Sequence, residues 1–192
     1  GEHSGDFARD YAIGQDARPA PHVDRPASFM GYKRPNGKVG TRNYIAVIAS
    51  VNCSATVTRA IAGHFTVERL AAYPNIDGVI ALPHPLGCGL NVAGEGMAIL
   101  RRTMVGYAQH PNFAGVLFVG LGGEQNQLSG IVEKIGAHEP GMLQQVVMQA
   151  EGGTTAAIRK GIALVTDMLA AANAYQREEV SASHLIVGLN CG

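Results

Sequence analysis

The sequence has little charge and no excess of either sign. Asp, Glu, Lys and Arg make up 16% of its 192 residues, and 15 basic side chains balance 15 acidic ones. No cluster of Lys and Arg occurs along the chain. Proteins that bind nucleic acids or anionic membranes present a positively charged surface, so we expect neither kind of partner.

Long hydrophobic runs and frequent cysteines are also missing. No apolar stretch approaches the roughly 20 residues that a membrane-spanning helix needs. The acidic start Gly-Glu-His-Ser-Gly-Asp is unlike a signal peptide. The three cysteines are an odd number, without the dense spacing of a disulfide-rich secreted domain. We therefore expect a cytoplasmic protein with reduced thiols.

Short apolar runs alternate with helical patterns from residue 43 onward. Runs at 44–50, 78–82, 115–121, 144–149 and 184–189 predict five β-strands. The patterns between them predict helices over 55–65, 95–109 and 125–135, and a long helix from about 152 to 175. Connections of this length are typical of parallel strands with right-handed crossovers. The predicted fold is α/β, an open, mostly parallel five-stranded sheet with helices on both faces, Rossmann-like or flavodoxin-like.

The first 38 residues differ from the rest in composition. Pro19, Pro21, Pro26 and Pro35 lie among charged residues, and few apolar residues have helix or strand spacing. This pattern is typical of an extended arm or interdomain linker. We predict an N-terminal arm over 1–38 and an α/β domain over 39–192, both cut from a larger protein.

Several predicted strands end abruptly in small and polar residues. Because ligands bind beyond the carboxyl ends of the strands in open parallel sheets, we expect a site among the loop residues Asn52, Cys53, His84, Cys88, Glu124, Asn126, Asn190 and Cys191. Thiolate and imidazole suit zinc or iron. His84 and Cys88 could hold such a metal if Cys53, Cys191 or Glu124 completed the shell. Alternatively, Cys88 fills a tight glycine loop and His84 caps a strand end.

Other polar side chains near the strands are candidates for substrate binding. Hydrogen-bonding groups run from Glu124 to Gln127 at a predicted helix start, where they could bind hydroxyl or carbonyl groups, although a polar first turn is the alternative. Arg42 and Asn43 precede the first strand of the sheet. A guanidinium fork is a natural partner for a carboxylate, and the alternative for Arg42 is a surface residue or a linker clamp.

Six short motifs follow one another along nearly the whole chain. They are Gly31-Tyr-Lys-Arg-Pro-Asn-Gly-Lys-Val-Gly-Thr-Arg-Asn-Tyr44, Ser50-Val-Asn-Cys-Ser54, Gly87-Cys-Gly89, His110-Pro-Asn-Phe113, Gly120-Leu-Gly122 and Gly188-Leu-Asn-Cys-Gly192. In order and spacing, this set resembles the altronate and galactarate dehydratase family. The resemblance implies the central domain of such an enzyme, with a small N-terminal and a large C-terminal domain elsewhere in the same protein.

The same resemblance implies a hydro-lyase that dehydrates an aldonate or aldarate to a 2-keto-3-deoxy acid. The implied cofactor is a divalent metal, most often Fe(II), with Mn(II) or Zn(II) as alternatives. The expected partners are the sugar acid, the missing domains and, as an open alternative, further copies of the chain. The implied roles are catalysis by His84 and Glu124, metal ligation by His84, Cys53, Cys88 and Cys191, and substrate contacts from Arg42, Asn43, Asn52, Asn126 and Gln127.

Two loops depart from the family pattern. His84-Pro-Leu-Gly-Cys-Gly89 stands where His-Gly-Thr-Gly-Cys-Gly is expected, and Gly123 stands where a cysteine is expected. Two alternatives stay open for the function of this domain. One is a related sulfolactate sulfo-lyase, which eliminates sulfite instead of water. The other is a non-catalytic scaffold or oligomerisation domain of the larger enzyme.

Overall fold

The computed structural model describes residues 27–136 and 138–190, and its elements alternate between strands and helices. In chain order they are β1 (Ser28–Lys33), β2 (Val39–Gly40), β3 (Tyr44–Ala49), α1 (Ala55–His64), β4 (Gly78–Leu82), α2 (Glu95–Ala108), β5 (Phe113–Gly120), α3 (Leu128–Ile135), β6 (Leu143–Val147), α4 (Thr154–Ala174) and β7 (Glu178–Ser181). Short 3₁₀ turns lie at Asn52–Ser54 and Ala182–His184.

A parallel sheet with the order β4-β3-β5-β6 forms the centre of the fold. Counted within this sheet the order is 2-1-3-4, which matches the first four strands of a flavodoxin-like arrangement. The order reverses between β3 and β5. In open α/β sheets the crevice beyond the carboxyl ends at such a switch point is where ligands bind.

Both faces of this sheet are covered by helices. On β3, Ile45 and Val47 face a core that α1 and α4 complete, whereas Ala46 and Ile48 face a second core with α2 and α3. Successive side chains of a strand point to opposite faces, so a strand buried on both sides has a continuous apolar sequence. That is why residues 44–50 could be predicted as a buried strand.

A second, smaller sheet is antiparallel, with the order β2-β1-β7. Ser28 pairs with Ser181 and Gly31 pairs with Glu178. Gly31 is required here because a Cβ at this position would lie 2.7 Å from a methyl carbon of Val39. This sheet joins the beginning of the described chain to its end.

The predicted α/β class and the first four predicted strands are confirmed. The fifth strand, predicted over 184–189, is wrong: this segment forms no strand, and its side chains are exposed, with Ile186 at 99%. Among the described residues, this segment pairs with neither edge strand, β4 or β6. The central sheet therefore has four strands and not five.

The predicted N-terminal arm is only partly described. Its last third contains β1, which pairs with β7, so residues 28–33 are part of an ordered sheet. Residues 1–26 lie outside the described residues, and the division at residue 38 stays a prediction. No helix in the described part of the chain is long and apolar enough to cross a membrane.

Candidate functional site

The carboxyl ends of β3 and β4 bring two thiols together. Cys53 lies in the 3₁₀ turn after β3 and Cys88 in the loop after β4; both are exposed, and their sulfur atoms are 3.9 Å apart. The main-chain N–H of Asn52 donates to the carbonyl of Leu86, which ties the two loops together. The hydrogen bond with Cys88 raises the pKa of the Cys53 thiol. The structure thus brings these two loops together.

The distance between the thiols suits shared metal ligation. Two sulfurs, each about 2.3 Å from one tetrahedral ion, lie about 3.8 Å apart. The two thiols therefore fit half of a four-coordinate shell. Cys191, the third predicted thiol ligand, lies outside the described residues. Among residues 27–136 and 138–190, no three His, Cys, Asp or Glu side chains lie close enough together to hold a metal ion.

His84 is held by the main chain through both ring nitrogens. Nε2 donates to the carbonyl of Ala49 over 2.9 Å, and Nδ1 accepts from the N–H of Leu86 over 3.2 Å. Burial lowers the pKa of His84, and the bond to Ala49 opposes this shift only in part. The ring is therefore a neutral Nε2–H tautomer with no free lone pair for a metal. In this arrangement it fixes the loop after β4 against the end of β3. This matches the alternative expectation, in which His84 caps a strand end.

Glu124 is buried, with 7% of its surface exposed, and its carboxylate is surrounded by hydrogen-bond donors. One carboxylate oxygen accepts from the hydroxyl of Ser50 over 2.7 Å and from the N–H of Leu121 over 3.0 Å, while the other accepts from the N–H of Gly122. Burial acts to raise the pKa of Glu124, but these hydrogen bonds outweigh it and hold the pKa below its usual value. Such a carboxylate stays ionised and is a weak proton acceptor.

Asn126 continues this network into the core. It is fully buried, its amide nitrogen donates to the carbonyl of Ser50 over 2.9 Å, and its oxygen accepts from Nε of Arg101 over 3.0 Å. Gln127 is exposed, yet its amide donates to the carbonyls of Gly122 and Glu124. Both amides therefore shape the loop after β5 from within.

Arg42 and Asn43 lie at the opposite edge of the sheet, before β3. Arg42 is exposed and forms an ion pair with Asp77 at 3.4 Å. Asn43 is fully buried, donates to the carbonyls of Asn75 and Ala172, and accepts from Arg34. The structure does not bring these two predicted substrate ligands together with the other candidates.

Two residues of this network were not singled out from the sequence. Ser50 directly follows β3 and links Glu124 to Asn126, and only its place in a motif drew attention to it. Arg101 lies on α2 and reaches the loop after β5 from 25 residues away in sequence. No local pattern distinguishes it from Arg102, its exposed neighbour.

The fold and this edge define an open α/β domain whose loops at the carboxyl ends of the strands are held by internal hydrogen bonds and present two thiols to solvent. The profile of the family described as "D-galactarate dehydratase/Altronate hydrolase, second domain" matches residues 31–173. The chain belongs to this family.

Individual relatives agree with the family match. An altronate dehydratase of Bacillus subtilis (strain 168) is 29% identical over 172 residues, covering 90% of this chain and 33% of that protein. An altronate dehydratase of Escherichia coli (strain K12) is 30% identical over 174 residues, 91% of this chain and 34% of that protein. A (2R)-sulfolactate sulfo-lyase subunit beta of Chromohalobacter salexigens is 29% identical over 165 residues, 86% of this chain and 38% of that protein. The chain spans about a third of the length of these curated relatives.

Proposed function

We propose that this chain is the second domain of a hydro-lyase that dehydrates a sugar acid, an aldonate or aldarate such as altronate or galactarate, to a 2-keto-3-deoxy acid. Membership of the dehydratase family and the names of two relatives support this reaction class. Since the chain spans about a third of those relatives, the activity belongs to the whole protein. The chain alone is expected to be inactive.

The observation that carries the proposal is the exposed pair Cys53 and Cys88 at the carboxyl edge, with sulfurs 3.9 Å apart. We assign to these thiols two ligands of the divalent cation, with Fe(II) as the first candidate and Mn(II) or Zn(II) as alternatives. When bound, such a cation supplies positive charge that stabilises the negative charge developing on the substrate. Cys191 is the third proposed thiol ligand.

The remaining residues of this edge position the two loops. His84 holds the β4 loop against Ala49, and Glu124 holds the β5 loop through Ser50. The hydrogen-bonding atoms of His84 and Glu124 already have partners in the protein. This favours a positioning role for both residues over the role in proton transfer that was expected of them. Asn52 is exposed in the same turn as Cys53 and is the amide best placed to bind a substrate hydroxyl.

One alternative is supported by a specific relative. The sulfo-lyase subunit matches 86% of this chain at an identity close to that of the dehydratases. Dehydration and desulfonation both eliminate a leaving group β to a carboxylate, so one edge could serve either reaction. The leaving group, water or sulfite, therefore has to be measured. A second alternative is that the domain is a non-catalytic scaffold of the parent enzyme.

The test uses the full-length protein that contains this chain, loaded with Fe(II) without oxygen. Aldonates and aldarates are assayed for 2-keto-3-deoxy acid, and (2R)-sulfolactate is assayed for sulfite. Cys53→Ser and Cys88→Ser are each expected to reduce kcat about 100-fold or more because a metal ligand is lost. Thr56→Ala, an exposed change in the neighbouring first turn of α1, is the matched control and is expected to keep full activity.

Three results would change the assignment. Sulfite release without formation of a keto-deoxy acid would establish the sulfo-lyase alternative. Full activity of both cysteine variants would make this domain a scaffold, with the metal held elsewhere in the enzyme. No turnover of any of these acids by the metal-loaded wild-type protein would contradict the proposed reaction class.

A further inference from the structure

The two thiols at the carboxyl edge can react with each other as well as with a metal ion. Cys53 and Cys88 are 35 residues apart in sequence, and both side chains are exposed. Sγ of Cys53 donates a hydrogen bond to Sγ of Cys88 over 3.9 Å. Oxidants in the solvent therefore reach both sulfurs, and each sulfur has the other as its neighbour. These are the conditions under which two cysteines form a disulfide.

The backbones of the two loops also approach closely beside the cysteines. The N–H of Asn52 donates to the carbonyl of Leu86 over 2.9 Å. A Cβ at Gly87 would lie 3.3 Å from the Cα of Val51. Asn52 and Gly87 directly precede the two cysteines in the chain. Because a disulfide requires Cα atoms within about 7 Å of each other, this approach of the backbones favours one between these loops.

Only a short movement separates the two sulfurs from bonding distance. A disulfide bond is about 2.05 Å long, so the sulfurs have to approach each other by about 2 Å. The loop that holds Cys88 has room for this movement, because a Cβ at Gly89 would meet no atom within 4 Å. Rotation of two exposed side chains, with a small shift of this loop, brings the sulfurs together.

We propose that Cys53 and Cys88 form a modification site, which hydrogen peroxide converts to an intramolecular disulfide. The thiolate of one cysteine attacks a peroxide oxygen, the O–O bond breaks, and the other oxygen takes up a proton and leaves as water. The product is a sulfenic acid. The thiolate of the second cysteine then attacks the sulfenic sulfur, the S–S bond forms, and a second water leaves. Two thiols thus lose two electrons, and one peroxide becomes two waters.

The disulfide would also control metal binding, a consequence that rests on the proposed function. A metal ion needs the thiolate form of cysteine, and a disulfide sulfur is no longer a thiolate. Oxidation therefore removes both proposed thiol ligands at once, and a reducing thiol restores them. Disulfides in reducing compartments are usually transient, catalytic or redox-sensing, which fits a reversible switch on this edge.

The experiment treats the metal-free, full-length protein that contains this chain with hydrogen peroxide. The remaining thiols are blocked, the protein is cleaved after arginine, and the peptides are identified by mass spectrometry. Cleavage places Cys53 on peptide 43–59, Cys88 on peptide 70–101 and Cys191 on the peptide that begins at residue 178. We expect a link between peptides 43–59 and 70–101 that disappears after treatment with dithiothreitol.

Variants of the three cysteines test the pairing. Cys53→Ser and Cys88→Ser are each expected to abolish this link and to leave a sulfenic acid on the other cysteine, which dimedone traps. Cys191→Ser is the matched control and is expected to form the link as the wild type does. The absence of the link in peroxide-treated wild type would overturn the proposal. A link from either peptide to the one that contains Cys191, in place of the expected link, would also overturn it.

Zn(II), which has no redox chemistry, tests the competition between metal and disulfide. Protein loaded with Zn(II) is expected to form the link about tenfold or more slowly than metal-free protein, because bound thiolates are not free to attack peroxide. The oxidised protein is expected to bind Zn(II) at least about tenfold more weakly until it is reduced. Equal rates with and without Zn(II), together with equal affinity before and after oxidation, would overturn the competition and the proposed thiol ligation. The disulfide would then stand without it.

Discussion

The hydroxyl of Ser50 donates to the buried carboxylate of Glu124 over 2.7 Å and joins the loop after β3 to the loop after β5. These strands flank the switch point of the sheet, where the strand order reverses. The bond therefore lies at the crevice in which ligands of open α/β sheets bind. It fixes the backbone of both loops while Cys53 faces solvent nearby.

Removal of this hydroxyl should weaken the whole edge. Ser50→Ala leaves the Glu124 carboxylate buried with one donor fewer, and we expect a loss of about 1–3 kcal/mol in the free energy of unfolding. Chemical denaturation measures it. The matched control is Ser129→Ala on the exposed face of α3, with an expected change within about 0.5 kcal/mol. Equal values for the two variants would mean that the Ser50–Glu124 bond contributes nothing.

The carboxylate of Glu124 should also make stability depend on pH. Its pKa in the folded protein is lower than the unfolded value near 4.5, so its stabilising contribution is complete above pH 4.5. The contribution then falls as the pH drops from 4.5 through the folded pKa. We expect Glu124→Gln to reduce this loss of stability at low pH, measured as the unfolding midpoint at a series of pH values. Glu133→Gln, an exposed change on α3, should lose stability at low pH as the wild type does.

A pair of glycines tests the packing of α4 on α1. A Cβ at Gly161 would lie 2.3 Å from Cδ1 of the fully buried Ile61, whereas a Cβ at Gly106 on α2 meets nothing within 4 Å. Both changes to alanine bring the same gain in helix propensity, about 1 kcal/mol. We expect Gly106→Ala to raise the thermal midpoint and Gly161→Ala to lower it, with a cost of about 1–3 kcal/mol from overpacking. A stabilised Gly161→Ala variant would show that Ile61 moves aside freely.

Asn43 should act on stability and not on ligand binding at the carboxyl edge. Asn43→Ala removes the partners of the Asn75 and Ala172 carbonyls and of Arg34, and we expect a loss of about 2–4 kcal/mol in unfolding free energy. Asn36→Ala, in an exposed turn, is the control, with a cost below about 1 kcal/mol. Metal affinity should be unchanged in both variants. Loss of metal affinity in a folded Asn43→Ala protein would restore Asn43 as a residue of the site.

Local sequence patterns identified the central sheet but not the smaller antiparallel sheet. Residues 44–49 are apolar on both faces, so their sequence alone indicates a buried strand. The run at 185–189 is equally apolar, but a strand also needs a partner, and pairing is a non-local property. β7 lacks an apolar run, since Glu178 and Glu179 are exposed, and β1 has only the short stretch Phe29–Tyr32 after a proline-rich segment. Only their pairing across about 150 residues makes them strands.

The position of the candidate site could be predicted from the sequence better than the roles of its residues. Because parallel strands end at one edge, Cys53 and Cys88 were expected to lie close together, and they do. The roles of His84 and Glu124 depend on which backbone groups approach them, which the sequence does not encode locally. Ala49 and Leu86 occupy both nitrogens of His84, and Leu121 and Gly122 donate to Glu124.

The most direct test of the thiol site is an oxygen-free calorimetric titration of the chain with Fe(II), repeated with Mn(II) and Zn(II). Wild-type protein and Thr56→Ala are expected to bind one of these ions equally tightly. Cys53→Ser and Cys88→Ser are each expected to lose about tenfold or more in affinity, and the double variant is expected to bind no more tightly than either single variant. Equal affinity of all five proteins for that ion, or no binding by the folded wild type, would contradict the assignment of the metal to this edge.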